Sequence, residues 1–160
     1  MDVYEYAMNM EVAGEKFYRD LAGATNHPGL RRVMIMLADE EVKHYQMIKA
    51  MKKTGKVETP THGLFDDAKH IFEKAMEENP DAKVDEKEEE FYLRVAKMEA
   101  DNGNFYAEKA ATASDEKEKK FLEFLAEEER KHEYLMLNLL DFIKEPDHWI
   151  ADAEWSNVEF

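Results

Sequence analysis

Along the first twenty-five positions, Tyr4, Ala7 and Met8, Glu11, Gly14, Tyr18, Leu21 and Thr25 recur at alternating steps of three and four. That spacing lays them on one face of an α-helix running from about Asp2 to Thr25, with Glu11 in the middle of an otherwise largely apolar stripe. Asn26-His27-Pro28-Gly29 interrupts the pattern, because proline and glycine punctuate helices and the residue before proline avoids the helical region. The break is short, so a second helix, about Leu30 to Thr54, is expected to return antiparallel. Its stripe is Leu30, Val33 and Met34, Leu37, Glu41, His44, Ile48 and Met51, and Gly55 has the character of a C-cap after Lys52 and Lys53.

From Lys56 to Asp85 the periodicity weakens around Pro60, Gly63 and Pro80, with one amphipathic stretch, Leu64 to Glu78, that carries Phe65, Ala68, Ile71, Phe72 and Ala75. A connection of that length suits a crossover along the side of a bundle, with a short helix inside it. The second and third long helices are then not a simple antiparallel hairpin. The third, about Glu86 to Ala113, has its stripe at Tyr92, Val95 and Ala96, Glu99, Asn102, Tyr106, Ala110 and Ala113. Ser114 is the expected N-cap of the fourth, whose stripe of Leu122, Leu125, Glu129, His132, Met136, Leu139 and Ile143 runs on until Pro146 stops it. The pattern predicts an all-α four-helix bundle over residues 1–145, built as two helix pairs joined by a long crossover. A C-terminal tail, 146–160, holds Trp149 and Trp155 and is free to fold back on the bundle or dock on a partner subunit.

The polar residues inside these stripes are not scattered. An offset of 88 carries Glu11 onto Glu99, Glu41 onto Glu129 and His44 onto His132, and it also carries Phe17 onto Phe105 and Tyr18 onto Tyr106. Each half therefore offers one glutamate and, thirty residues later, a Glu-x-x-His, whose two side chains lie about 60° apart on a helix and can grip one ion together. Burying a bare carboxylate costs on the order of 20 kcal/mol in the idealised Born limit and several kcal/mol after relaxation. A domain stable by about 5 to 15 kcal/mol cannot hold four of them unpaired. No basic residue occupies a stripe position beside these acids, whereas two divalent cations would match all four. Carboxylate-rich sites with one imidazole per ion suit iron first and manganese second; zinc takes more sulfur or nitrogen, and calcium rarely takes histidine.

Charge and composition narrow the partners. The net charge of −15 repels phosphate backbones and anionic membranes, so neither nucleic acid nor a membrane surface is an expected partner. No apolar run approaches a membrane span, and Met1-Asp2-Val3-Tyr4-Glu5 lacks the basic and apolar regions of a leader, so a cytoplasmic protein is expected. The absence of cysteine leaves no thiolate nucleophile, disulfide or iron–sulfur cluster, and any metal must be held by oxygen and nitrogen.

In Glu11-Val-Ala-Gly-Glu-Lys-Phe-Tyr18, Leu37-Ala-Asp-Glu-Glu-Val-Lys-His44 and Leu125-Ala-Glu-Glu-Glu-Arg-Lys-His132, the chain resembles the rubrerythrin family of ferritin-like proteins over most of its length, to about Ile143. The resemblance implies that Glu41 and Glu129 bridge two irons, that Glu11 and His44 complete one site, and that Glu99 and His132 complete the other. It also implies that Tyr18 and Tyr106 hydrogen-bond metal-bound carboxylates. Two features depart from the family. The cysteine-ligated rubredoxin-like domain of full-length members has no counterpart here, so electrons would come from a separate rubredoxin-like protein or a small reductant. Where rubrerythrin proper has an extra glutamate that exchanges with histidine, this chain has Asn102, a neutral and poor ligand.

The function implied is that of a di-iron oxidoreductase acting on hydrogen peroxide or dioxygen in oxidative-stress defence, working as a homodimer, with ferroxidase activity as a variant. Iron storage in a hollow shell and a helical interaction module with structural metals are the alternatives. His27, His62, His70 and His148 carry no expected role and are read as solvated surface.

Overall fold

A computed structural model describes residues 2–59, 64–79 and 85–144. Pro60, His62, Gly63 and Pro80, the stop at Pro146, and the tail with His148, Trp149 and Trp155 lie outside the described residues, as do the side chains of Phe65 and Ile143. Among the described residues there are five helices and no strand: α1 (Val3–Ala24), α2 (Pro28–Thr54), α3 (Leu64–Glu78), α4 (Glu86–Thr112) and α5 (Glu116–Lys144). Four are long and one is short, as the stripes predict.

The helix ends are set by local chemistry. Asp2 and Asp85 cap α1 and α4, each accepting from the amide three residues on, Glu5 at 2.8 Å and Glu88 at 2.9 Å. At α5 the cap is Asp115, whose Oδ2 accepts from the Glu118 amide at 3.2 Å. Ser114, the cap expected from the sequence, gives way to its neighbour, which offers an ionised acceptor to the positive end of the helix dipole. Helix α2 begins two residues earlier than its stripe suggests. Pro28 fits the first turn, where its missing N–H is not needed, and the His27 Nδ1 accepts from the Leu30 amide at 3.3 Å. Gly55 ends α2 in the left-handed region at φ 68°, returning its amide to the Met51 carbonyl at 2.9 Å.

Cross-helix contacts fix the directions. Lys52 reaches Glu5 and Arg19 reaches Asp39, so α1 and α2 are antiparallel. Tyr6 packs at a tilt against Phe105 and Phe17 meets Phe91 edge-on, so α1 and α4 are antiparallel too. Helices α2 and α4 consequently point the same way, and the crossover runs from one end of the bundle to the other. Helix α3 lies on α2 through Leu64, Ala68, Phe72 and Ala75. Phe72 stacks flat on His27, with ring centroids 5.3 Å apart and planes 6° apart, and buries the imidazole to 1 % exposure. His27 is therefore not solvated surface; His70 is.

The apolar core divides in two. One cluster gathers Leu21, Leu30, Leu37, Phe72, Tyr92 and Leu139 at the α3 end. The other gathers Ala7, Ile48, Met51, Phe121, Leu122 and Leu125 at the opposite end. Between them lies the polar belt.

Candidate metal centre

Each long helix delivers to this belt the residues its stripe places inward. Glu11 comes from α1, Glu41 and His44 from α2, Glu99 from α4, and Glu129 and His132 from α5, all at 0–1 % exposure. Their ligand atoms form two quartets, Glu11, Glu41, His44, Glu129 and Glu41, Glu99, Glu129, His132, each with its atoms within 4.8 Å of one another. Glu41 and Glu129 belong to both. The two imidazoles stack with centroids 5.3 Å apart and planes 12° apart, both presenting Nδ1 to the carboxylates. His44 Nδ1 is 3.4 Å from Glu11 and 3.6 Å from Glu129, and His132 Nδ1 is 3.2 Å from Glu41 and 3.6 Å from Glu99.

Whether these residues suit a metal pair is testable on their own polar atoms. Glu11 Oε2, Glu41 Oε2, Glu99 Oε2, both Glu129 oxygens and His44 Nδ1 are fully buried and make no hydrogen bond to protein. Buried polar atoms are ordinarily paired, and a cluster of unpaired acceptors around one point is what a cation satisfies. The donor set of four carboxylates and two imidazoles is that of carboxylate-bridged dimetal bundles.

Ionisation follows from burial and proximity. Burial, then the charges of Glu11 and Glu99, hold Glu41 and Glu129 well above the usual carboxylate range. Burial pushes Glu11 the same way, yet the adjacent Glu41 carboxyl and the charge of His44 outweigh it and bring Glu11 down to about 2. Glu99 is lowered likewise: burial opposes, but the adjacent Glu129 carboxyl and His132 imidazole prevail. Burial disfavours the charged form of His44, and Glu11 overrides it, raising the imidazole to about 10.

Both tyrosines touch the belt, each across the halves. Tyr18 Oη donates to Glu99 Oε1 at 2.9 Å and Tyr106 Oη donates to Glu11 Oε1 at 2.7 Å. Burial first, then these carboxylates, push both phenols up, so they remain donors.

The repeat extends this arrangement to residues that sequence reasoning left without a role. Glu40 and Glu128, themselves 88 apart, are 5 % and 2 % exposed on the outer side of the two imidazoles. Gly14 is the other. A Cβ there would lie 2.9 Å from Glu41 Oε2 and 3.0 Å from Glu41 Cδ, so only glycine lets this carboxylate come up against α1. A glycine in mid-helix costs about 1 kcal/mol against alanine, which was the signal available.

The family model for Rubrerythrin matches residues 2–140. The chain belongs to the rubrerythrin family. No curated protein and no solved structure matches it. Membership implies metal binding, matches the clustering of carboxylates and imidazoles in the belt, and accounts for the ferritin-like packing of two helix pairs. No described helix is long and apolar enough to cross a membrane.

Proposed function

We propose that this rubrerythrin-family protein is a di-iron oxidoreductase that reduces hydrogen peroxide or dioxygen by two electrons. The observation that carries the reading is the sharing of Glu41 and Glu129 between two four-residue ligand groups, since shared carboxylates hold two ions close enough to act on one small molecule. Glu11 and His44 would complete one iron site, Glu99 and His132 the other. Iron is preferred, with manganese as the second choice, because each ligand group offers three carboxylates to one imidazole.

Two ferrous ions held there would supply one electron each to a peroxide, which takes two electrons and two protons to become two waters. The chain's own residues set the conditions. Tyr106 and Tyr18 orient Glu11 and Glu99 by hydrogen bonds. The apolar clusters at both ends keep water from the belt. An open groove of about 980 Å³ between α4 and α5, with Glu99, Gly103, Ala107 and Ala126 in its wall, gives a small oxidant an approach. Re-reduction falls to a separate donor such as a rubredoxin-like protein, and a cytoplasmic homodimer is the proposed working form.

The test is stopped-flow mixing of reduced protein, loaded with two irons per chain, with hydrogen peroxide. The expected result is rapid loss of the ferrous state at one peroxide per two irons. Loaded protein that stays ferrous under these conditions would refute the oxidoreductase reading.

A further inference from the structure

Glu40 and Glu128 stand immediately before Glu41 and Glu129, and a lysine stands before each histidine, so the repeated unit is Glu-Glu-x-Lys-His rather than Glu-x-x-His. Each outer glutamate already carries its own cation: Lys43 Nζ lies 3.0 Å from Glu40 and Lys131 Nζ 3.3 Å from Glu128. They are thus charge-balanced apart from the four inner carboxylates, and their burial needs another reason. The opposite nitrogen of each imidazole supplies it. Glu128, on α5, reaches across to α2 and places Oε1 3.7 Å from His44 Nε2, while His44 Nδ1 faces Glu11 and Glu129. Glu40, on α2, groups with both His44 and His132. The Nε2 atoms of both rings are fully buried and make no hydrogen bond at the present distances. Closing 3.7 Å to hydrogen-bond length takes a shift of about 0.7 Å.

We propose that Glu128 and Glu40 are positioning residues, accepting a hydrogen bond from Nε2–H of His44 and of His132 so that each ring keeps its Nδ1 lone pair turned to the metal pair. This rests on the metal reading above. A neutral imidazole has one lone pair and one N–H, so fixing the hydrogen on Nε2 leaves Nδ1 as the only ligand atom. The same count argues against a further cation among Glu40, His44 and His132, because rings committed through Nδ1 have no lone pair left to offer it. The two hydrogen bonds would also tie α2 to α5 across the belt, each helix orienting the other's ligand.

The test uses the full chain with zinc(II) as a diamagnetic probe for NMR and iron(II) for affinity. In the parent protein, ¹⁵N shifts should show both histidines metal-bound at Nδ1 with a protected proton on Nε2. Glu128→Ala should lose the protected His44 proton, leave that of His132, and weaken iron(II) binding by about 10- to 100-fold. Glu128→Gln, which keeps an oxygen acceptor, should restore most of both. Should Glu128→Ala fail to fold, Glu40→Ala reports on His132 in the same way. Parent-like affinity with an unchanged His44 signal in Glu128→Ala overturns this inference alone. A parent that binds neither zinc nor iron overturns the metal reading, and this inference with it.

Discussion

Gly14→Ala asks whether Glu41 is where a metal needs it. The added Cβ would sit 2.9 Å from Oε2, 3.0 Å from Cδ and 3.4 Å from Cγ of Glu41, where ordinary contact begins near 3.4 Å. The carboxylate must therefore retreat by about 0.5 Å, more than twice the roughly 0.2 Å within which metal–ligand distances hold. It has little freedom to do so by rotating, since its other oxygen lies 3.2 Å from His132 Nδ1 and the residue is 1 % exposed. Against this, alanine gains about 0.8–1 kcal/mol of helix propensity over glycine, and overpacking costs about 1–3 kcal/mol. The net cost is at most about 2 kcal/mol, within the stability of an ordinary domain, so the fold survives while the ligand moves. Because Glu41 belongs to both ligand groups, both ions should be affected, with affinity falling by about 10- to 100-fold. The assay is anaerobic titration with iron(II) against a competing chelator, read beside the thermal midpoint of the same sample. Gly103→Ala is the control: its Cβ would meet Ala126 O and Glu129 Cβ at 3.6 Å, an ordinary contact. That variant should bind as the parent does and gain about 2–4 °C in midpoint from the better helix former. Two ions per chain at parent affinity in Gly14→Ala would refute the placement of Glu41 at the metals.

Metal loading should release protons. Glu41, Glu129 and His44 are all held above their ordinary values, the imidazole at about 10, so protons compete with a cation for these groups. At least one proton per pair of ions, that of His44, should appear near pH 7, apparent affinity should fall as pH falls, and the dependence should flatten only as pH rises through about 10 for His44. Calorimetry in buffers of different ionisation enthalpy counts these protons, and a release below one would contradict the assigned ionisation. Tyr106→Phe removes the 2.7 Å donor to Glu11, a hydrogen bond to a charged group worth about 1.5–3 kcal/mol. It should lower affinity chiefly at the position shared with His44, and Tyr18→Phe at the one shared with His132; equal loss at both positions in either variant, resolved by two-site titration, would contradict the crossed pairing.

What the sequence made legible was whatever depends on helical period and internal repetition. The four stripes, the short helix in the crossover and the six inward polar residues all follow from spacing within one helix or from the offset of 88. Features that depend on which helix lies opposite were hidden. Tyr18 and Tyr106 each lie seven residues past a glutamate on their own helix, yet each bonds the glutamate of the other half, because α1 and α4 run antiparallel. His27 has the surroundings of a turn, and only the return of α3 over it brings Phe72 to its face. Glu40 and Glu128 have lysines three residues on, as exposed helix faces often do, and their burial comes from α2 facing α5. At α5, serine and aspartate were adjacent and both able to cap, so the choice lay beyond periodicity.

The division of the core explains how a chain of this size tolerates such a belt. Apolar burial is concentrated in two clusters, each joining all four long helices, on opposite sides of the polar layer. Neither cluster needs the middle to be dry and neutral in order to pack, so the layer can be occupied by ligands chosen for an ion rather than for cohesion. The cost of burying them is then felt locally: six unpaired oxygen and nitrogen atoms gain a partner when cations arrive, and until then the raised proton affinity of Glu41, Glu129 and His44 limits the repulsion. Binding free energy adds to the stability of the folded bundle by mass action. Binding itself exchanges protons for metal at fixed positions, which is why the backbone of Gly14 and the hydroxyls of Tyr18 and Tyr106 carry more weight here than their small contribution to packing suggests.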